Sequence, residues 1–184
     1  FDNVHTPFPM ASEEARNISI TFAAPTKTFN IAGLVSSFSV VHNSEIRDRY
    51  YGWLKANHLA SPTFIATVAA EAAFTKGGEW RKQMLDYVEG NVRFVEDFLA
   101  KNIPAIRVVR PQASFLIWLD CRELGIDQEA LKDLFINKAR LALNDGEAFG
   151  KEGSGYMRLN VGCPRAVLSR AMEQLATAVQ KSIC

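Results

Sequence analysis

The chain lacks most of the features that announce a function class. Its 184 residues hold three cysteines, Cys121, Cys163 and Cys184, an odd and unclustered set without a C-x-x-C pair. That argues against a disulfide framework or a thiolate metal site, and leaves buried free thiols in a reducing compartment as the expectation. The three histidines, His5, His42 and His58, are equally scattered. Charge of one sign is missing too: 21 Lys and Arg stand against 20 Asp and Glu, net +1, with no basic stripe, so nucleic acid is not an expected partner. No apolar run approaches the ~20 residues that span a bilayer. Phe1-Asp2-Asn3-Val4 is not a charged segment leading into an apolar one, so neither membrane nor secretory signal is expected and the cytoplasm is the expected location. No repeat or low-complexity tract interrupts a chain long enough to bury a core as one domain or two small ones.

What is present is an alternation of helical and strand patterns. Residues 1–17 read as loop, with Ser12 placed to cap a helical turn. Ile18, Ile20 and Phe22 alternate with polar neighbours as a strand, and the apolar run 34–41 reads as a second, buried one. Ser44 is placed to cap a helix. Ser61-Pro62 reads as the start of another, whose small residues suggest burial, ending at Gly77-Gly78. A long amphipathic helix opens at Trp80 and stops at Pro104. Strand patterns at 106–109 and 114–120, a helix capped by Asp127, a strand between Gly155 and Pro164 and a last helix from Pro164 complete the chain.

Two residues carry candidate chemistry. Pro25 cannot extend the ladder of a central strand, so the first strand stops near Ala24 and Lys27 follows it. Strand ends are where open α/β sheets bind ligands. By spacing alone Lys27 is either a solvated lysine or a reactive amine. The apolar Phe29, Ile31, Ala32 and Leu34 favour a partly dry site, where desolvation lowers an amine's pKa. Thr26 and Thr28 offer hydroxyls for an anion. Far downstream, Met157, Leu159 and Val161 alternate with Tyr156, Arg158 and Asn160, so Arg158 faces a cleft or water. It reads as a surface ion-pairing residue or as a bidentate carboxylate clamp.

Ala24-Pro25-Thr26-Lys27-Thr28-Phe29-Asn30-Ile31-Ala32-Gly33-Leu34 resembles the lysine segment of fold-type I pyridoxal-phosphate enzymes, nearest to the MalY/PatB-type cystathionine β-lyases (C–S lyases) of the class I/II aminotransferase superfamily. Leu143-Asn144-Asp145-Gly146, Phe149-Gly150 and Gly155 to Arg165 resemble a second segment of that family, and His5-Thr6-Pro7-Phe8 a third. The resemblance implies an α/β fold, the C-terminal portion of a fold-type I transferase: a large-domain remnant over 1–80, then an interdomain helix and α/β small domain over 81–184. Family members carry roughly half their chain before this lysine, so a fragment is expected that binds the cofactor weakly and turns over little by itself.

The resemblance further implies pyridoxal 5'-phosphate as cofactor, with Lys27 as its attachment point and catalytic base and Thr26 at its phosphate. Arg158 is implied at the carboxylate of an amino-acid substrate, and a homodimer as the assembly. The implied reaction is β-elimination from a sulfur amino acid; transamination would use the same residues. A regulatory role, as in some relatives that bind a transcription activator, is the reading from another class. Ala24 stands where this superfamily often carries a phosphate-binding serine and Val35 where aspartate aminotransferases carry a phosphate-binding arginine, and Val35 fits the lyases better. Tyr156 and Asn144 read as loop packing or as cleft lining.

Overall fold

The structure, a computed structural model, describes residues 4–183. Cys184, expected as a buried thiol, lies outside them, as do Phe1, Asp2 and Asn3 of the expected N-terminal loop. The chain forms two compact units, Val4–Met84 and Leu85 onward.

In the first unit, Ser12 Oγ accepts a hydrogen bond from the Ala15 amide at 3.0 Å and starts α1 (Glu13–Ile18). Ile18 is thus helical. The strand that follows, β1 (Ile20–Ala23), is shorter than its sequence pattern and ends two residues before Pro25. It pairs antiparallel with β2 (Phe38–Val41) in a two-stranded sheet, with Ile20 opposite Val41 and Ala23 opposite Phe38.

The expected strand over 34–41 is therefore only its second half. Residues 32–34 form a 3₁₀ turn, closed by the Val35 amide on the Ala32 carbonyl at 3.2 Å. Val35 itself is left-handed at φ 46°, a conformation a β-branched residue adopts at a cost, which breaks the extended run.

Two helix starts also differ from the sequence reading. Asn43, not Ser44, caps α2 (Ser44–Ala56): its Oδ1 accepts from Glu45 and Ile46 amides at 2.9 and 3.2 Å, while its Nδ2 donates to the Asn17 carbonyl. Ser61-Pro62 lies ahead of α3 (Phe64–Lys76), because Thr63 is the extended residue whose hydroxyl accepts from the Ala66 amide. The small residues of α3, which suggest burial or an interface, are not covered by the described residues: Ala66 is the helix's one buried residue, and Phe64 is 82% exposed.

Helix α4 (Gly78–Asn102) begins in the first unit and continues into the second. There it buries Val88, Asn91, Val92, Val95 and Leu99, a stripe at helical spacing. β3 (Arg107–Val109), β4 (Leu116–Asp120), β5 (Asn144–Asp145) and β6 (Tyr156–Asn160) make an antiparallel sheet in the order β3-β4-β6-β5. Its inner face buries Ile117 and Leu119 of β4 and Met157 and Leu159 of β6, the alternation expected from sequence. Asp127 caps α5 (Gln128–Asp133) as expected, and the helix runs on as a π turn to Lys138, burying Leu131, Leu134, Phe135 and Ala139. The last helix, α6 (Arg165–Ile183), buries Leu168, Met172, Leu175 and Ala178. Cys121 is buried as expected; Cys163 is only half-buried, since it sits in the turn after β6. Burial first, then the charge of Asp120, pushes the Cys121 thiol up to about 12.

Candidate functional site

The lysine turn is built by local bonds. Beyond β1, the Phe29 amide donates to the Pro25 carbonyl at 2.9 Å and the Ile31 amide to the Thr26 carbonyl at 3.0 Å. These coil 25–31 into a turn that begins at a buried proline. Phe29 closes it from below, 6.0 Å from the Phe74 ring and 6.1 Å from Trp80. The approach is tight enough that a Cβ at Gly77 would lie 2.6 Å from the Phe29 ring.

Lys27 is exposed on this turn. The partly dry surroundings expected from its apolar neighbours are therefore not built by these residues. Phe29 packs against Phe74 and Trp80, Ala32 is exposed, and Ile31 and Leu34 are only half-buried, so Lys27 stays open. Thr26 is half-buried and Thr28 exposed. Among the described residues, neither hydroxyl has a hydrogen-bond partner and Lys27 Nζ has no ion pair. One amine between two unspent hydroxyls is a donor set that suits a carbonyl compound bearing an anionic group.

Arg158 sits in the middle of β6, opposite Trp118 of β4 on one side and Asn144 of β5 on the other. Cross-strand partners share a face, so the three side chains emerge on the sheet's outer surface. Arg158 Nη2 donates to Asn144 Oδ1 at 2.9 Å, and its guanidinium carbon stands 4.4 Å from the centre of the Phe149 ring. Its Nε is buried and has no acceptor. A half-buried guanidinium held on one edge with a donor left over suits a planar, two-oxygen anion, whereas an unmet buried donor by itself is costly. Arg158 makes no ion pair within the described residues, so the surface-pairing reading loses its partner.

Around it lies a second aromatic set. Trp118 meets Phe149 edge-on at 5.4 Å and Tyr156 at 6.1 Å. Arg122 lies over Tyr156 at 5.0 Å and makes two bonds to Asp120, at 2.9 and 2.7 Å, whose carboxyl that pairing holds below its usual range. Tyr156 is thus packing of this face. Asn144 touches Arg158 directly, more than loop packing. Phe149 carries no candidate role by sequence alone. No spacing rule links it to Arg158 nine residues on, because a loop with Gly150, Gly153 and Gly155 brings them together.

Comparisons with known proteins agree over nearly the whole chain. It is 36% identical over 179 residues to cystathionine beta-lyase PatB of Bacillus subtilis, 97% of this chain and 46% of that protein. To protein MalY of Escherichia coli it is 33% identical over 177 residues, 96% of this chain and 45% of that one. The crystal structure of cystalysin from Treponema denticola, which contains a pyridoxal 5'-phosphate cofactor, matches with a TM-score of 0.93 at 32% identity, covering 98% of this chain and 46% of that one. No family model matches the chain. The chain spans about half the length of the curated relatives it matches.

Fold and sequence together therefore define the C-terminal half of a fold-type I pyridoxal-phosphate enzyme, with mixed α/β content. Within that class the chain matches the C-terminal half of the MalY/PatB-type cystathionine β-lyases at 33–36% identity.

Proposed function

We propose that the full-length protein is a pyridoxal-phosphate-dependent C–S β-lyase that takes a sulfur amino acid to pyruvate, ammonia and a thiol. The observation that carries it is Arg158: a guanidinium fixed by Asn144 and the Phe149 ring, without an ion pair among the described residues, on a strand within the region that matches PatB and MalY.

The lysine turn fits the cofactor's chemistry. Lys27 would hold it through its amine, and Thr26 would hold its phosphate. When bound, the cofactor supplies an electron-poor ring that takes up the electron pair left at the substrate's Cα. This chain's residues do the rest. Arg158 binds the α-carboxylate through two parallel N–H···O bonds, which fixes the direction of the Cα–H bond. Lys27 Nζ, freed when the substrate's own amino group takes its place, would take the Cα proton, being the base nearest the attachment point. The Cβ–S bond breaks with its electron pair leaving on sulfur, and Lys27 returns a proton as the thiol departs. Water then converts the three-carbon remainder to pyruvate and ammonia.

The reading extends to a homodimer in the cytoplasm. Its support is the exposed apolar surface of the first unit, where Phe22, Val35, Phe64 and Ile65 are each more than three-fifths exposed, a signature of covered interfaces. The free thiols of Cys121 and Cys163 agree with a reducing compartment. Among the described residues, no helix is long and apolar enough to cross a membrane.

The test is to incubate the full-length protein with cystathionine and measure pyruvate. Release without any keto acid, abolished by Lys27→Ala, is the expected outcome. Amino transfer that requires a keto acid would replace the lyase by an aminotransferase. A function that survives Lys27→Ala would point to a regulatory role.

A further inference from the structure

Phe149 has no core to serve. Its side chain is 52% exposed, yet one face of the ring lies 4.4 Å from the Arg158 guanidinium and its edge meets Trp118 at 5.4 Å. The loop that carries it is fastened at its base. A Cβ at Gly146 would stand 2.1 Å from the Gly153 carbonyl oxygen, and one at Gly153 2.0 Å from that of Gly146, so the two glycine backbones are in contact. Gln128, the buried first residue of α5, donates to Asp145 Oδ1 at 2.6 Å and accepts from the Gly155 amide at 2.7 Å. Asp145 in turn accepts from the Glu147 amide at 3.0 Å. Both ends of the loop are thus tied to one buried amide, and the ring cannot drift far from the arginine.

We propose that Phe149 is a positioning residue for Arg158: its ring sets the plane of the guanidinium that Asn144 holds by one edge, so that the unspent donors face the substrate's carboxylate. A guanidinium on a mid-strand arginine has four side-chain torsions to fix, and one hydrogen bond to Asn144 leaves rotation about that bond open. A stacked ring removes it, and stacking a cation on an aromatic face is itself favourable. The proposal rests on the reading of Arg158 as the carboxylate-binding residue, and two-oxygen recognition is the geometry most sensitive to the plane.

The experiment uses the full-length protein with a sulfur amino-acid substrate and compares Phe149→Leu, Phe149→Tyr, Arg158→Lys and the double variant Phe149→Leu/Arg158→Lys. Phe149→Leu keeps apolar bulk and loses the ring face. It is expected to raise KM roughly fivefold, the scale of one lost cation–π contact, with a smaller fall in kcat. Phe149→Tyr retains the ring and is expected within about twofold of the parent on the same scale. In the Arg158→Lys background Phe149→Leu should cost little more, because the two act as one unit.

Melting curves that show Phe149→Leu folded keep the comparison valid; a Phe149→Leu protein that does not fold, with Phe149→Tyr unaffected, refutes a purely positioning role. If Arg158→Lys raises KM and Phe149→Leu does not, or if the effects of the two add in full, the positioning role is overturned while the clamp stands. If Arg158→Lys leaves KM unchanged, the clamp reading itself fails.

Discussion

Replacing Asn91 by leucine should unfasten the junction that follows the arginine strand. Asn91 is fully buried on α4; its Nδ2 donates to the Val161 carbonyl at 2.7 Å and the Cys163 carbonyl at 2.9 Å, and its Oδ1 accepts from Arg165 Nε at 2.7 Å. Leucine is close in size, so the change removes three hydrogen bonds with little cavity. The bond to Val161 is buried, and stranding its acceptor costs about 1–3 kcal/mol; the two part-buried bonds count for about 1 kcal/mol each. Against this, leucine's extra apolar burial returns about 1 kcal/mol. The net loss is about 2–4 kcal/mol. It can be read from urea unfolding followed by Trp118 fluorescence in a Trp53→Phe/Trp80→Phe background, which reports the second unit. With a slope of about 1.5 kcal/mol per molar, the midpoint should fall by about 1.3–2.7 M. A fall under about 0.3 M would show that water replaces the amide without penalty, and the junction would not depend on this side chain.

Cys121 gives a pH signature. Its folded-state pKa of about 12 exceeds the ~8.5 of an unfolded thiol, so its contribution is complete below that value and is lost as pH rises toward 12. Stability measured from pH 8 upward should decline less steeply in Cys121→Ala than in the parent, and parallel curves would contradict the assignment. Gly153→Ala places a Cβ 2.0 Å from the Gly146 carbonyl oxygen, so the loop base must open. The exposed loop should then be cut faster by a nonspecific protease, and unchanged cutting would refute the close contact.

The strands and helices with a clean one-face pattern were legible before any coordinates. The alternation Met157, Leu159, Val161 describes β6, and Asp127 and Ser12 announce their helices because a cap requires only one short side chain at one place. The failures share a different cause. Ser44 and Ser61-Pro62 look like helix starts, yet Asn43 and Thr63 hold the extended backbone that lets a side chain reach back to the amides. Val35 belongs to an apolar run that periodicity extends as strand, and nothing local signals its left-handed backbone. Lys27 stands out as a candidate reactive position only through the resemblance, and within this chain the apolar residues beside it in sequence do not close over the amine. The Phe149–Arg158–Asn144 set was illegible as a unit, since strand register and a glycine-closed loop, not spacing, bring it together.

The most direct measurement concerns Lys27. The cofactor-loaded full-length protein is reduced with borohydride, which makes the bond between cofactor and lysine permanent, and is then digested and mapped by mass spectrometry. A pyridoxyl group on Lys27 is the expected result. The same group on another lysine, with Lys27 unmodified, would contradict the proposed enzyme chemistry of this chain.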